Sequence, residues 1–435
     1  MDTYSVMPAD TPLSGEITIP GDKSISHRAV IFGSIAEGTT TISGFLEGED
    51  NLSTIAAFRS MGVTISSPVD GELTITGAGK DGLKKPTSVI DCGNSGTTAR
   101  LLTGLLSAQG FSSTLTGDAS LRGRPMKRVV EPLTLMGADI SGAEGGDKLP
   151  LNIEGKKLKG ITYRTPVASA QLKSALLLAG LFADGETSVI EPAKSRDHTE
   201  LMLENFGVDI RLEGLKVSVS GGASLKGTRV FVPGDISSAA FFIVAALITK
   251  NSEILIKNIC INPTRYGIID ILKLMGADIT LEDTVASKVG EPVASLRVKS
   301  SKLKGIDIDG SLLLPAIDEF PIICVVALFA DGETTISGAG ELRVKESDRI
   351  AVMAEELTKI GAEVEERPDG ILIQGRGNHN PVYGGLTDSH GDHRVAMALA
   401  VSALLSKKGI KIKDASCVDV SFPGFFDLLE RVRNK

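Results

Sequence analysis

The sequence predicts an α/β protein made of six similar βαβαββ units in two halves. One sign is a helix that ends in glycine before a small apolar residue, a pattern that recurs at Gly62, Gly137, Gly207, Gly276 and Gly361. Successive glycines lie 75, 70, 69 and 85 residues apart, and one further step of this size reaches the C-terminus. A second sign is duplication, since LFADGETSVI at 181–190 resembles LFADGETTIS at 328–337.

A restart of the repeat divides the chain into two domains. The string IPGDKSIS at 19–26 resembles VPGDISSA at 232–239, so the second half is expected to begin there. The predicted domains are residues 21–233 and residues 1–20 with 234–435, each of three units.

Each unit follows one order of elements. A short polar motif opens an apolar helix, as at 168–181, 237–247 and 321–330. A glycine turn and a β-branched strand follow, and then a more polar helix whose C-cap is the recurring glycine. Because helix N-termini carry free N–H groups and a positive dipole, motifs placed there would attract anions.

Composition argues against several classes of protein. The formal net charge is −8, aromatic residues make up 4% of the chain and tryptophan is absent. Nucleic-acid readers need basic faces and aromatic platforms, so no nucleic-acid partner is expected. The four cysteines are far apart in the sequence and no two have the spacing of a metal knuckle. No structural set of disulfides is expected, which fits a reducing cytoplasm. The N-terminus lacks a signal-peptide core and the apolar run at 239–249 is too short to span a bilayer, so no membrane partner is expected.

Two motifs of the first half combine a helix start with possible anion ligands. The string GDKSISHR brings Lys23, Ser24 and Arg28 to a helix start, where they suit a phosphate or carboxylate. The alternative is a capping serine followed by solvated charges. The string CGNSGTTAR at 92–100 has two glycines that would let backbone N–H groups approach a ligand. Cys92 has no base nearby in the sequence, and we interpret it as a buried cysteine.

Three further positions of the first half suit anionic or hydroxylated ligands. The string LRGRPMKR at 121–128 contains Arg124, which the following proline holds extended, although a solvated charge run is equally compatible. Ser169 and Gln171 at a helix start offer neutral hydrogen bonds for hydroxyl groups, or Ser169 simply caps the helix. Arg196, in SRDHTE, is a candidate phosphate ligand.

The second half adds acids to the bases. Asp318 precedes an apolar helix, either as a partner of the helix dipole or as a base for a substrate hydroxyl. The string LRVKESDR at 342–349 crowds charges without the spacing of a surface ladder. Asp392 opens another apolar helix, and we expect it to cap that helix rather than to join a metal site. Across both halves, eight bases predict ligands with several negative charges: Lys23, Arg28, Arg100, Arg124, Arg196, Lys345, Arg349 and Arg394.

These motifs resemble the 5-enolpyruvylshikimate-3-phosphate synthase family over essentially the whole chain. The strings that carry the resemblance are PGDKSISHR, CGNSGTTARLL, GRPMKR, ASAQLKSALLLAG, SRDHTE, LRVKESDR and DHR. Their combination is far more specific than any one of them. Within the family, the chain resembles the bacterial class II branch in the strings PMKR, ASAQ and SRDHTE.

The resemblance implies an inside-out α/β barrel, the enolpyruvyl transferase fold, with two similar domains and the active site between them. It implies a 3-phosphoshikimate 1-carboxyvinyltransferase of aromatic amino acid biosynthesis. In that reaction the enolpyruvyl group of phosphoenolpyruvate moves to shikimate 3-phosphate through a tetrahedral adduct, and phosphate leaves. No metal and no organic cofactor is implied. The expected enzyme is a cytoplasmic monomer whose partners are its two substrates.

The resemblance also implies roles for matching positions. Asp318 would accept the proton of the 5-hydroxyl, while Glu346 and Lys23 would deliver or remove protons at the methylene carbon, in an order left open. The implied ligands of shikimate 3-phosphate are Lys23, Ser24, Arg28, Ser169, Gln171, Arg196, Asp318 and Lys345. The implied ligands of phosphoenolpyruvate are Lys23, Gly96, Arg124, Gln171, Arg349 and Arg394.

Three positions depart from the pattern of some relatives: Ala170 replaces a serine, Glu341 an asparagine and Val420 a lysine. Gly96 is retained, so sensitivity to the herbicide glyphosate is expected. Two rival functions stay open. UDP-N-acetylglucosamine enolpyruvyl transferase would need a reactive loop cysteine. A non-catalytic anion-binding relative would have no need of the two acids at 318 and 346.

Overall fold

The computed structural model describes residues 2–285 and 290–433, a mixed α/β chain in which short helices alternate with short strands. The strands are β1 (Thr3–Val6), β2 (Ser14–Thr18), β3 (Glu37–Ser43), β4 (Thr64–Ile65), β5 (Leu73–Ala78), β6 (Ile90–Asp91), β7 (Ser112–Thr116), β8 (Asp139–Ala143), β9 (Lys148–Glu154), β10 (Thr162–Arg164), β11 (Glu186–Ile190), β12 (Ile210–Glu213), β13 (Lys216–Ser220), β14 (Arg229–Phe231), β15 (Glu253–Cys260), β16 (Asp278–Val285), β17 (Val293–Lys299), β18 (Asp307–Ile308), β19 (Asp331–Ile336), β20 (Glu363–Arg367), β21 (Gly370–Arg376), β22 (Gly385–Asp388) and β23 (Ile410–Lys413). The α-helices are α1 (Lys23–Ile35), α2 (Glu49–Ser60), α3 (Gly96–Ser107), α4 (Ala119–Gly123), α5 (Lys127–Leu135), α6 (Ala170–Gly180), α7 (His198–Asn205), α8 (Ile236–Ile248), α9 (Gly267–Leu274), α10 (Gly310–Leu313), α11 (Phe320–Leu328), α12 (Arg349–Lys359), α13 (His393–Ala403) and α14 (Phe425–Arg433). Short 3-10 helices span Glu144–Gly146, Leu314–Glu319, Gly340–Val344 and Ala415–Val420.

The strands repeat one type of sheet. In spatial order, the first strand of each four-stranded sheet runs parallel to the second, and the later neighbours pair antiparallel. In that order the sheets are β14-β3-β5-β4, β6-β7-β9-β8, β10-β11-β13-β12, β2-β15-β17-β16 and β18-β19-β21-β20. The last unit forms the three-stranded sheet β22-β23-β1. The N-terminal strand therefore completes the repeat that the C-terminus leaves short.

The chain forms two compact units. The terminal unit holds the chain up to Pro20 and again from Pro233, and the central unit holds Gly21–Val232 together with Glu291. The ends of the predicted domains, Met1 and Lys435, lie outside the described residues.

The chain passes from one unit to the other after Pro20 and after Val232. The strand before each of these points pairs within the unit that the chain is leaving, and not within the unit it enters. In sequence β2 leads into α1 of the central unit, but it pairs with β15 of the terminal unit. In turn β14 leads into α8 of the terminal unit, but it pairs with β3 of the central unit. Each crossing is a Pro-Gly pair, and a Cβ on Gly21 would overlap the carbonyl oxygen of Gly44. Glycine is therefore required where the chain leaves the terminal unit.

The recurring glycines end their helices as the sequence predicts. Their φ angles lie between +82° and +98° at Gly62, Gly137, Gly207, Gly276 and Gly361. A left-handed residue at this point turns its N–H group back to the last helical turn, as Gly62 does to the carbonyl oxygen of Arg59 at 3.0 Å. The prediction of a repeated C-cap glycine is confirmed.

The predicted apolar helices form the cores. The helices predicted at 168–181, 237–247 and 321–330 correspond to α6, α8 and α11 within two residues at each end. In the terminal unit α8, α11 and α13 pack on one another, and α8 is buried along its whole length. In the central unit α3 packs on α6. The polar motifs therefore stand at the starts of helices whose bodies are fixed by apolar packing.

Among the described residues, one stretch has the length and mean hydropathy of a membrane span, Gly310–Leu328, at 1.9. This stretch is longer than the apolar run at 239–249, which was considered from the sequence as a possible membrane span. The stretch is not one regular helix, because it joins α10 and α11 through a 3-10 turn kinked at Ala316. About two thirds of it, 67%, is buried inside the protein, as in a core helix.

Candidate active site

Each unit places its predicted site residues shortly before helix starts or within the first two helical turns. The central cluster consists of Lys23, Ser24, Arg28, Gly96, Arg100, Arg124, Ser169, Gln171 and Arg196. The terminal cluster consists of Asp318, Lys345, Glu346, Arg349, Asp392 and Arg394. Each cluster lies within its own unit.

Lys23 begins α1. Asp22 caps this helix by accepting the N–H of Ile25 at 2.9 Å. Lys23 pairs with the carboxylate of Asp50, and the side-chain amide of Asn51 donates to its carbonyl oxygen at 3.0 Å. The side chain of Lys23 keeps 20% of its exposure. The protein therefore orients the ammonium group through Asp50 and leaves part of the side chain exposed.

Arg28 is held inside the central unit. Its Nε donates to Thr199 Oγ1 at 2.7 Å, its Nη2 to Ser174 Oγ at 2.7 Å and its Nη1 to the carbonyl oxygen of Ser24 at 3.0 Å. Burial lowers the pKa of Arg28 to about 10, and the charge of Glu200 opposes that shift. Arg28 is 2% exposed, whereas Ser24 is half-buried. All three guanidinium nitrogens of Arg28 therefore donate hydrogen bonds to oxygens of the protein.

Gly96 begins α3 beside two arginines. A Cβ on Gly96 would lie 2.8 Å from Nη1 of Arg100 and 3.6 Å from Nη1 of Arg124. Arg100 donates to Gln171 Oε1 at 2.8 Å, and the amide of Gln171 donates to Thr97 Oγ1 at 3.0 Å. One polar network therefore joins the starts of α3 and α6, and glycine leaves room for the guanidinium groups.

Arg124 binds the glycine motif. Its Nη2 donates to Asn94 Oδ1 at 2.5 Å and its Nη1 to the carbonyl oxygen of Asn94 at 3.3 Å. Its backbone is extended before the proline, with φ −83° and ψ 142°. Arg124 is buried, whereas Arg122 and Lys127 are exposed. The basic run at 121–128 thus divides into a buried ligand candidate and solvated neighbours.

Ser169 is the N-cap of α6, and its Oγ accepts the N–H of Leu172 at 3.4 Å. The capping role considered from the sequence is thus present. Ser169 is half-buried, as are Gln171 and Arg196, which lies in the segment before α7. Arg196 is close enough to Arg28 to lower the pKa of that residue.

Arg349 lies at the centre of the terminal cluster and is 1% exposed. Its Nε donates to Asp392 Oδ2 and its Nη2 to Glu346 Oε2, each at 2.8 Å. Burial alone would lower the pKa of Arg349, but Asp392 and Glu346 raise it above the ordinary value. Burial would raise the pKa of Asp392, but Arg349 holds it below the ordinary value. The pair is therefore ionised in the folded protein.

Asp318 lies among three cations. Its Oδ1 is 3.7 Å from Nη1 of Arg349 and 3.9 Å from Nζ of Lys345. Its carbonyl oxygen accepts a hydrogen bond from Arg394 Nη1 at 3.1 Å. Burial lowers the pKa of Lys345, and the charge of Asp318 opposes that shift. The acid and the bases that the sequence took from three separate motifs are thus brought together.

Two acids have larger roles here than the sequence suggests. Asp392 caps α13 as predicted, accepting the N–H of Arg394 at 2.9 Å, but it also binds Arg349. Glu319 is fully buried, accepts a hydrogen bond from Ser237 and lies 3.7 Å from Arg394. Its position next to Asp318 was visible in the sequence, but its buried partners were not.

Lys173 is another residue that the motif analysis missed. It lies inside α6, is 1% exposed and pairs with Glu191 at 2.8 Å and Glu200 at 2.6 Å. The available signal was that Lys173 is the one charged residue of a mainly apolar helix, because a buried lysine needs acids as partners.

Cys92 is buried, and burial raises the pKa of its thiol to about 12. This environment agrees with the interpretation of Cys92 as a buried cysteine, because a thiol that holds its proton is a poor nucleophile.

Among the described residues, one group of side chains has the spacing of metal ligands: Glu355, Glu356 and His390. The ammonium group of Lys359 lies 2.7 Å from Glu356, whose carboxylate also contacts His390 at 3.0 Å. Protein partners therefore already occupy that carboxylate.

The comparisons with known proteins point one way. The family model described as EPSP synthase (3-phosphoshikimate 1-carboxyvinyltransferase) matches residues 8–429. Proteins named 3-phosphoshikimate 1-carboxyvinyltransferase from Geobacter metallireducens and Geotalea daltonii are each 55% identical to the chain, over 99% of both sequences. The solved structure of EPSP synthase from Acinetobacter baumannii is similar with a TM-score of 0.89 at 50% identity, covering 99% of this chain and 98% of that one.

Proposed function

We infer, from the premise that the chain belongs to the EPSP synthase family, that it transfers the enolpyruvyl group of phosphoenolpyruvate to the 5-hydroxyl of shikimate 3-phosphate. The products are 5-enolpyruvylshikimate 3-phosphate and phosphate, in aromatic amino acid biosynthesis. The rival reaction on UDP-N-acetylglucosamine is not favoured. Relatives that align with 99% of the chain are named 3-phosphoshikimate 1-carboxyvinyltransferase. In addition, the raised pKa of Cys92 keeps its thiol protonated, whereas the rival reaction needs a reactive cysteine.

The position of Asp318 carries the assignment of catalytic roles. Its carboxylate lies within 3.9 Å of both Lys345 and Arg349. These cations favour the ionised form that a general base needs, and they suit the anionic groups of both substrates. We assign to Asp318 the removal of the proton from the 5-hydroxyl as its oxygen attacks C2 of phosphoenolpyruvate.

The attack and the release of phosphate need two proton movements at the methylene carbon. In the addition the C–O bond forms at C2 while C3 gains a proton, which gives the tetrahedral adduct. In the elimination C3 loses a proton, the bond from C2 to the phosphate oxygen breaks and phosphate leaves. Glu346 and Lys23 are the groups proposed for these transfers, and their order stays open.

The remaining cations are proposed to hold the substrates. Forked guanidinium groups pair with two oxygens of a carboxylate or phosphate at once, which fixes the reacting atoms. We propose that phosphoenolpyruvate binds to Lys23, Gly96, Arg124, Gln171, Arg349 and Arg394. We propose that shikimate 3-phosphate binds to Lys23, Ser24, Arg28, Ser169, Gln171, Arg196, Asp318 and Lys345. For the fold that carries these residues we propose the inside-out α/β barrel of the enolpyruvyl transferases.

The proposal also covers the location of the enzyme and its oligomeric state. We propose that the enzyme works in the cytoplasm and as a monomer, with its two substrates as its partners and without nucleic acid or membrane. Light scattering after size-exclusion chromatography tests the oligomeric state. A mass near 45.6 kDa is expected, and twice that mass would reject a monomer.

Phosphate release with phosphoenolpyruvate and shikimate 3-phosphate tests the function. The wild type is expected to release phosphate only with both substrates present. Asp318→Ala is expected to lower kcat by about 10²–10⁴-fold, the usual contribution of a general base. Asp307→Ala, which removes an exposed acid of β18, is the matched control. No phosphate from the wild type would reject the function, and a fully active Asp318→Ala would reject only the role of that residue.

A further inference from the structure

Glu191 joins two segments of the central unit that carry proposed ligands of shikimate 3-phosphate. It follows β11 and is 4% exposed. Its Oε1 accepts the N–H of Ser169 at 3.2 Å, and its Oε2 accepts the N–H of Ser195 at 3.4 Å. Ser169 is itself a proposed ligand, and Ser195 directly precedes Arg196. One buried carboxylate therefore fixes the main chain at both ligand segments.

The two segments depend on contacts of this kind. Residues 165–169 and 191–197 lie outside the helices and strands. An irregular segment has no ladder or helical pattern to set its direction, so the hydrogen bonds that its N–H groups donate to side chains help to fix where it lies. A charged acceptor makes such bonds stronger than a neutral one would.

Lys173 holds the carboxylate in place. Its ammonium group lies 2.8 Å from Glu191 Oε2 and 2.6 Å from Glu200 Oε1, and its side chain is 1% exposed. Burial raises the pKa of Glu200, and Lys173 opposes that shift. The charge of Glu200 in turn opposes the fall in the pKa of Arg28 that burial causes. The buried charges around the two segments thus stabilise one another, because a buried charge is costly unless it is paired.

We propose that Glu191, held by Lys173, is a positioning residue for the binding of shikimate 3-phosphate. It directs Ser169 and Arg196 to the substrate and does not touch the substrate itself. This inference rests on the proposed function, from which it takes the substrate. It gives a role to two residues to which the family resemblance assigned none.

Glu191→Gln tests the proposal. Glutamine has nearly the same volume but one acceptor oxygen in place of two, so it cannot serve both N–H groups and Lys173. We expect the KM for shikimate 3-phosphate to rise on the order of tenfold, the loss of one hydrogen bond to a charged group. The kcat and the KM for phosphoenolpyruvate should change by less than about twofold. Hydrogen–deuterium exchange should rise in peptides that cover residues 169 and 195 and stay unchanged in α3.

Two further variants keep the test decisive. Glu186→Gln removes an exposed acid of the same strand and should match the wild type. Glu191→Asp keeps the charge opposite Lys173, which protects folding, but its shorter side chain cannot reach both segments, so an intermediate rise in KM is expected. Folded Glu191→Gln and Glu191→Asp with the wild-type KM for shikimate 3-phosphate would overturn the proposal. An inactive wild type would instead reject the proposed function, and the inference with it.

Discussion

The two clusters hold their arginines differently. In the central cluster Arg100 and Arg124 donate to amide and carbonyl oxygens. In the terminal cluster Arg349 donates to the carboxylates of Asp392 and Glu346. A neutral acceptor orients a guanidinium group, whereas a carboxylate both orients it and offsets its charge. From this difference we propose a division of work, in which the central unit mainly binds anions and the terminal unit also moves protons.

Glu346→Gln should sharpen this comparison with the largest effect. If Glu346 moves a proton at the methylene carbon, kcat should fall by about 10²–10³-fold while both KM values stay within about threefold. Steady-state kinetics measure the split, and Glu363→Gln, an exposed acid of β20, is the control. A large rise in KM with an unchanged kcat would place Glu346 among the binding residues and break the comparison.

Asp392→Asn should show how strongly the terminal cluster depends on its acids. Removing one partner of a buried ion pair is expected to lower the free energy of unfolding by about 3 kcal/mol at neutral pH. Urea unfolding followed by circular dichroism measures this loss. An unchanged free energy of unfolding at pH 7 would show that the pair with Arg349 contributes nothing.

The same pair predicts a pH dependence. Arg349 holds the pKa of Asp392 below its ordinary value of 3.8. As the pH falls, the carboxylate therefore stays ionised to a lower pH in the folded state than in the unfolded state. The stabilisation is therefore complete above about pH 4 and is lost as the pH falls through the lowered pKa. Asp392→Asn should therefore lose less stability than the wild type as the pH falls below about 4. Equal acid sensitivity of the two proteins would contradict this assignment.

Gly96→Ala should have a smaller effect, confined to the central cluster. The new Cβ would lie 2.8 Å from Nη1 of Arg100, so the guanidinium group must move. The KM for phosphoenolpyruvate is expected to rise about tenfold, with less change for shikimate 3-phosphate. Glyphosate should inhibit the wild type in competition with phosphoenolpyruvate and should inhibit the variant more weakly. Gly110→Ala, whose Cβ would meet no atom within 4 Å, is the control.

Cys92→Ala should have the smallest effect. Burial raises the pKa of this thiol to about 12, so thiolate is scarce at neutral pH and the residue acts as a small apolar side chain. Activity within about twofold of the wild type is expected in the phosphate-release assay. A loss of 100-fold or more in a folded variant would point back to a cysteine-dependent enolpyruvyl transfer.

The sequence predicted elements and motif positions better than their pairings. Local rules place a glycine at a helix end, so the repeat was visible from Gly62 to Gly361. Residues 1–20, which include β2, were assigned to the second half from the restart of the repeat. The pairing partners of β2, β14 and β1, which are β15, β3 and β23, were not predicted, because a strand's own residues do not specify the neighbour with which it will pair.

Within the clusters the same limit applies. The bases were found because each stands in a polar motif at a helix start. Glu346 lies three residues from its partner Arg349, but other acid partners are distant in sequence, as Asp392 is from Arg349. The same holds for Glu191 and Lys173, a base that the motifs did not reveal. Only tertiary packing shows which acid meets which base. Lys173, the one charged residue of a mainly apolar helix, was a local hint. It indicates that a buried acid must lie nearby, but it does not identify that acid.

Acceptor selectivity tests the assigned function most directly. The protein is incubated with phosphoenolpyruvate and either shikimate 3-phosphate or UDP-N-acetylglucosamine, and released phosphate and the product mass are measured. The assignment predicts phosphate and an enolpyruvyl product with shikimate 3-phosphate and neither with UDP-N-acetylglucosamine. Turnover with UDP-N-acetylglucosamine and none with shikimate 3-phosphate would contradict it.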